Sequence, residues 1–450
     1  MESIRSFCYI RGKSSLFVLA NTLSIVSFIL FLQLNTEHSF LSALPFVCFY
    51  TMRLFGIFFI KQSKYVVSSV TIEWLALVLG SVGIGVAMLG EVFFFFYVLA
   101  SILIGLSASW LSAANLTINH YQPNKEVSMQ YRFLIVSVLL ILGSLSLASP
   151  WRLQVTFFMY LCLYLLAFSY LRVAMDSQLI LRTTTREINT LISKKESRLF
   201  LGIWGLLFLL RVGRLFQSDQ EIEWALVGFG LFFTLFLLQT SQRQATWKVA
   251  TPVNLLCFMN GALGNYLILF GAIYSGQLFG QDRTAILLYL PYAIGMIGAL
   301  GSFSFVQKKL ADWFLLGVLS LGVLGFCLLF FEEKGWLSFF ILSYSHFLIN
   351  PWLNRQYLAT KTLHTEQQLF VKRMTQNKGA IIEQFLLMIG LLVASQQQGI
   401  TLQQLFQVTS QLSAVTSVLV NVRQVTSVMG AIIISSGILW LVAKRGGKNV

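Results

Sequence analysis

Apolar runs of about 20 residues recur from one end of the chain to the other, and they constrain its fold more than any other feature. A run of that length crosses the hydrocarbon layer of a membrane as a helix. Only helices and closed barrels satisfy every backbone polar group in that layer. Barrel strands alternate apolar and polar residues over roughly 10 positions, and runs such as 16–32 do not alternate, so the barrel is excluded. Over 450 residues the composition is 56% apolar and 11% charged, with mean hydropathy +0.75. A soluble domain carries roughly 25% charge, and disorder needs low hydrophobicity and high charge. Both classes are excluded.

The runs predict spans at about 14–34, 39–60, 66–89, 92–115, 133–149 and 152–173, then 198–216 and 223–240, then 252–275, 284–306, 313–331, 335–353, 379–396 and 425–444. A polar, charged segment, 174–197, follows the sixth. The run after the N-terminal MESIRSFCYIRGKSS is too long for a signal-peptide core and reads as a retained first span. Of the 32 Lys and Arg, 25 fall on alternate connections and the termini; Arg152, Arg283, Lys334 and Arg423 fall on the opposite side. Basic residues stay on the cytoplasmic side, so both termini are expected there, in a multi-pass protein of the cell membrane. The net charge of +15 is thereby assigned to membrane orientation, with no nucleic-acid partner. Segment 174–197 reads either as an amphipathic helix on anionic headgroups or as a solvated linker.

Loop lengths repeat. A short basic loop (61–64) and a longer one (116–132) recur in order as 307–309 and 354–378, at offsets of 238 to 246 residues. Internal repeats mark secondary transporters. The expected organisation is an all-α polytopic membrane protein of about 14 spans: a six-helix bundle (1–173), a cytoplasmic linker (174–197), an inserted helix pair (198–240) and a second six-helix bundle (252–450). This 6+2+6 layout resembles the major facilitator superfamily, in particular its 14-span drug:proton antiporter branch. The family's short-loop motif, G-x-L-A-D-R-x-G-R, is matched by Leu310-Ala311-Asp312. Lys308 stands for the glycine and Trp313 for the arginine, and the first-half loop lacks the motif. The long loop before the last span, 397–424, also resembles that branch. The resemblance implies alternating access and proton-coupled efflux of a lipophilic or amphipathic compound. A flippase for a lipid or lipid-linked saccharide, and a membrane accessory protein without transport, are the alternatives.

Enzyme signatures are missing. The sequence has no GxxxxGK[ST] phosphate loop and no HExxH, and its five cysteines and four histidines are scattered without metal-ligand spacing. No metal, cofactor or catalytic residue is expected. The expected partners are membrane lipids and a small-molecule or lipid substrate, and the chain is expected to be a monomer.

Ionisable residues inside spans are expensive and mark function. Arg53 and Glu73 lie ten positions either side of the centre of one hairpin, roughly 10 Å deep. They read as an ion pair that either locks the hairpin or opens as a gate. Glu383 is the one carboxylate within the spans of the second six-helix unit and is the candidate proton carrier; the alternative is a pair with Lys378 or a snorkelling side chain. His346, in the middle of its span, is a structural histidine bonded to Tyr344 or Asn350, or a second proton site. Asn254, Asn260, Asn265 and Tyr266 make the span at 252–275 unusually polar. With Asn350, and with Asn21 on the matching first helix, they either line a substrate cavity or tie helices together. Arg211 and Arg214, three residues apart on one face, would contact an anionic headgroup if the flippase reading holds.

Overall fold

In the computed structural model the described residues are 2–34, 40–60, 68–121, 127–145, 151–175, 249–279, 285–361, 365–401 and 412–446, with a few isolated positions between them. All regular structure among them is helical. The first half gives α1 (Glu2–Gln33), α2 (Phe40–Phe55), α3 (Ser69–Met88), α4 (Phe95–Tyr121), α5 (Val127–Leu145) and α6 (Trp151–Met175). The second gives α7 (Thr251–Phe279), α8 (Leu290–Leu310), α9 (Phe314–Leu329), α10 (Gly335–Leu358), α11 (Thr365–Gln397) and α12 (Leu412–Gly446). Nine stretches of the described residues are long and apolar enough to cross a membrane, with α8 and α9 counted as one, Leu287–Leu329. The chain is a polytopic helical membrane protein. Twelve expected spans fall on these helices. Most of the inserted pair, Arg211 and Arg214 with it, and the linker beyond Met175 lie outside the described residues, so the count of fourteen remains an expectation.

Helix starts follow local chemistry. Ser68 caps α3 by accepting from the Val70 amide at 3.3 Å, and Pro252 and Pro291 sit in the first turns of α7 and α8, where a missing N–H costs nothing. Two boundaries differ from the sequence reading. α11 begins at Thr365, so Lys372, Arg373 and Lys378 lie on a helix and not in a loop. α12 begins at Leu412, which places Arg423 inside a helix, buried, and not in an external loop. A hydropathy window rejects such polar stretches, but partners inside the fold meet their cost: Gln368 donates to the Thr360 and Leu363 carbonyls and Gln376 to Asn350.

The backbone groups into two compact units, the first holding Met1–Phe216, Glu221–Val249 and Thr360–Met374, the second Gln217–Gln220, Ala250–Ala359 and Thr375–Val450. In the first, α3 packs on α4 and α6, α1 on α6, and α2 on α4. Small residues admit the neighbours. A Cβ at Gly105 would meet the Phe49 carbonyl at 2.8 Å, and one at Gly80 would overlap the Tyr164 ring. Buried hydroxyls then pair across helices, Tyr160 to Thr22 at 2.9 Å and Tyr164 with Ser107 at 2.8 Å. In the second unit α10 packs against α7, α8 and α9, and α12 lies on α9. Serines on α10 tie this layer: Ser338 donates to the Gly325 carbonyl, Ser343 to Tyr292 and Ser345 to Val318.

Candidate functional site

The second unit contains a cavity of about 670 Å³, a volume suited to a small molecule. Residues of α7, α9, α10, α11 and α12 line it, and most are apolar. Among the described residues Glu383 is the only charged one in the lining; Asn260, Tyr266, Ser345, Gln397, Asn421 and Thr426 supply the polar atoms.

A glycine crossing of α7 and α11 places Glu383. A Cβ on Gly261 would overlap the Gln376 carbonyl, and one on Gly379 would overlap the Phe258 carbonyl, so the two backbones touch. Four residues beyond each glycine, one helical turn on, stand Asn265 and Glu383. The Asn265 amide donates to a Glu383 carboxylate oxygen at 2.5 Å and to the Ala380 carbonyl at 3.1 Å, using both of its hydrogens. Asn265 is buried and holds the carboxylate from behind, while Glu383 itself is half-buried and reaches the cavity.

Beside it, the Tyr266 hydroxyl lies 2.8 Å from that of Thr426 on α12. Thr426 is turned to its own helix, toward the Val422 and Arg423 carbonyls, so the tyrosine is the donor in the pair. The Tyr266 ring stacks on Phe270 at 4.9 Å. Below the crossing, the Asn350 side-chain oxygen accepts from Asn260 at 3.1 Å and from Gln376 at 2.8 Å, joining α7, α10 and α11.

Of the residues singled out from sequence, the structure brings Asn260, Tyr266 and Glu383 to the cavity. Asn265 and Asn350 stand one bond behind it. Asn254 is further along α7, accepting from Tyr357 at 2.6 Å. His346 packs its ring against Gly264, where a Cβ would come within 2.5 Å, and edge-on to Phe347. Of its expected partners, Tyr344 pairs with Ser302, and Asn350 donates to the His346 backbone carbonyl. Asn21 lies in the first unit and bonds back to Phe17 of its own helix at 2.7 Å.

The first unit buries Arg53 and Glu73 but does not join them by a hydrogen bond. The Arg53 guanidinium lies 5.3 Å from the Tyr50 ring centre, and neither Glu73 oxygen accepts a hydrogen bond among the described residues. Burial dominates the surroundings of Glu73, and Lys13 on α1, also buried, adds a lesser attraction. Sequence reasoning missed Lys13 because it reads as a flanking residue of the first span. It missed Thr426 and Gln376 because one looks like ordinary helix polarity and the other like a loop.

The fold places the chain in a class, that of polytopic helical membrane bundles. Solved structures share that fold across nearly the whole chain. A peptide transporter POT in complex with sulfate matches with a TM-score of 0.54 at 11% identity, covering 96% of this chain and 94% of that one. A bacterial homologue of the human drug peptide transporters PepT1 and PepT2 matches at 0.53 and 14%, covering 98% and 99%. PepTSo2, solved as a tetramer, matches at 0.53 and 14%, covering 97% and 98%. The likeness to these peptide transporters is one of fold, and at that level it agrees with the expected resemblance. The drug:proton antiporter branch finds no counterpart among these structures. No family model matches the sequence, and no curated protein matches it.

Proposed function

We propose that the chain is a secondary active transporter of the cell membrane that works by alternating access and is coupled to protons through Glu383. The observation that carries this reading is the Asn265–Glu383 bond at the wall of an apolar cavity. A carboxylate held by an amide, with one face toward a cavity, takes and gives a proton without rearranging the helices that hold it. The shared fold with solved transporters supports the mechanism.

The substrate favoured by the site is a lipophilic or amphipathic small molecule, because apolar side chains dominate the lining. A short peptide is the second reading, favoured by the structural neighbours, which are peptide transporters. Export and antiport came from the branch resemblance, which these neighbours do not share, so direction is not part of the proposal. Neither is the flippase: its cationic contact, Arg211 and Arg214, lies outside the described residues. Both termini are placed in the cytoplasm on the basic-residue bias alone, and the chain is taken as a monomer.

The test is transport by the full chain in proteoliposomes under an imposed proton gradient, with ethidium and dialanine as probes. Gradient-dependent movement of ethidium supports the amphipathic reading and movement of dialanine the peptide one. If the gradient moves neither, the proposal fails.

A further inference from the structure

Arg423 is the one arginine among the described residues of α12's apolar stretch, and the hydrophobic environment makes a buried guanidinium there costly unless its partners are good. Its partners come from two other elements. Nη1 donates to the Tyr274 hydroxyl of α7 at 2.6 Å, and the guanidinium carbon lies 5.4 Å from the centre of the same ring. Nη2 stands 4.0 Å from Glu332, in the short turn between α9 and α10, where the carboxylate is half exposed. Nε is buried and makes no hydrogen bond.

Tyr274 is the end of a ladder. Tyr266, Phe270 and Tyr274, spaced four apart, share one face of α7, and their rings stack successively at 4.9 and 5.6 Å. The first rung lines the cavity and bonds to Thr426; the last bonds to Arg423, three residues away on the same face of α12. The α7–α12 seam is thus pinned at both ends by a tyrosine hydroxyl. Val422, next to Arg423 and buried, lines the cavity along this seam.

We propose that Arg423, Tyr274 and Glu332 form a latch that holds the α7–α12 seam shut over the cavity of the second unit. The carboxylate is the part made to yield. At 4.0 Å and half exposed it contributes a loose, screened attraction, whereas the Tyr274 bond is short and buried. Losing Glu332 leaves Arg423 with one neutral partner, and the seam opens by swinging the guanidinium out toward water. The latch uses none of the residues assigned to proton coupling, and it stands or falls separately from that assignment.

The test uses the full chain in lipid nanodiscs carrying Val422→Cys, a near-isosteric reporter. Labelling by N-ethylmaleimide is followed on the peptide containing position 422, so that native cysteines do not interfere. Labelling should be slow in this parent, about tenfold faster or more when Tyr274→Phe is added, the factor that loss of one hydrogen bond to a charged group carries, and up to about fivefold faster with Glu332→Gln, the range of a screened ion pair. The unfolding midpoint should stay unchanged with Glu332→Gln, since Glu332 is half exposed. Equal labelling rates in all three proteins would overturn the latch. So would faster labelling that merely follows a fallen unfolding midpoint.

Discussion

Asn265 and Glu383 meet because each stands four residues beyond a glycine, Gly261 on α7 and Gly379 on α11, and the two glycines make the crossing at which the helix backbones touch. One turn of helix carries the register from a steric contact to a polar one. The glycines therefore belong to the site as much as the carboxylate does. Gly261→Ala or Gly379→Ala should force the helices apart, since the atom each new Cβ would strike is a carbonyl oxygen of the facing backbone. Overpacking of this kind costs about 1–3 kcal/mol. The unfolding midpoint should fall in both variants, while Gly143→Ala, inside α5 with open space around its Cβ position, should not lower it.

Glu383→Gln preserves shape and still accepts from Asn265, but it cannot titrate. Substrate binding should survive, and gradient-driven transport in proteoliposomes should fall to the level of empty vesicles. Exchange that requires no net proton movement should continue. Wild-type gradient-driven rates in Glu383→Gln would remove the carboxylate from the mechanism. Asn265→Leu should act more mildly, lowering transport by freeing the carboxylate from its support.

Much of this was legible in the sequence. Apolar run length gives the twelve described helices, because the bilayer imposes one length scale on every span. Glu383, Asn260 and Tyr266 stood out because polar atoms are rare in such runs. The remainder depended on partners. Arg423 reads as a loop residue until Tyr274 is seen beside it, and the start of α11 is hidden by Gln368, Lys372 and Gln376, whose polarity the fold absorbs. Side-chain direction was equally hidden: Asn254 and Asn350 lie on elements that reach the cavity but bond Tyr357, Asn260 and Gln376.

The turn between α8 and α9 carries a local strain. Ala311 has φ +44°, the one non-glycine residue with positive φ among the described residues. Its Cβ is unfavourable there, and such strain costs of order 1–3 kcal/mol. Glycine adopts this conformation freely but loses about 0.5–1 kcal/mol of unfolded-state entropy relative to alanine. Ala311→Gly should therefore stabilise the protein by about 1 kcal/mol, seen as a raised unfolding midpoint. A lowered midpoint would mean that the turn is not strained.

Buried charge in the first unit allows a sharper discrimination. Symmetry about the hairpin centre pairs Arg53 with Glu73, but in the structure Glu73 accepts no hydrogen bond among the described residues, Lys13 adds an attraction secondary to burial, and Arg53 lies over Tyr50. All three side chains are buried. Where two buried groups interact, each single removal loses the interaction and the double removal loses it only once, so their costs do not add. Lys13→Met and Glu73→Gln should each destabilise, and the double variant should be less destabilised than the sum, with a coupling of about 0.5–3 kcal/mol. Arg53→Gln combined with Glu73→Gln should instead be additive to within about 0.5 kcal/mol. Urea titrations of the six single and double proteins, wild type included, supply both couplings. A large Arg53–Glu73 coupling with none for Lys13–Glu73 would restore the hairpin pair that the spacing implies. The reverse result would assign Glu73 to α1, where a rocking motion of that helix would change the charge it feels.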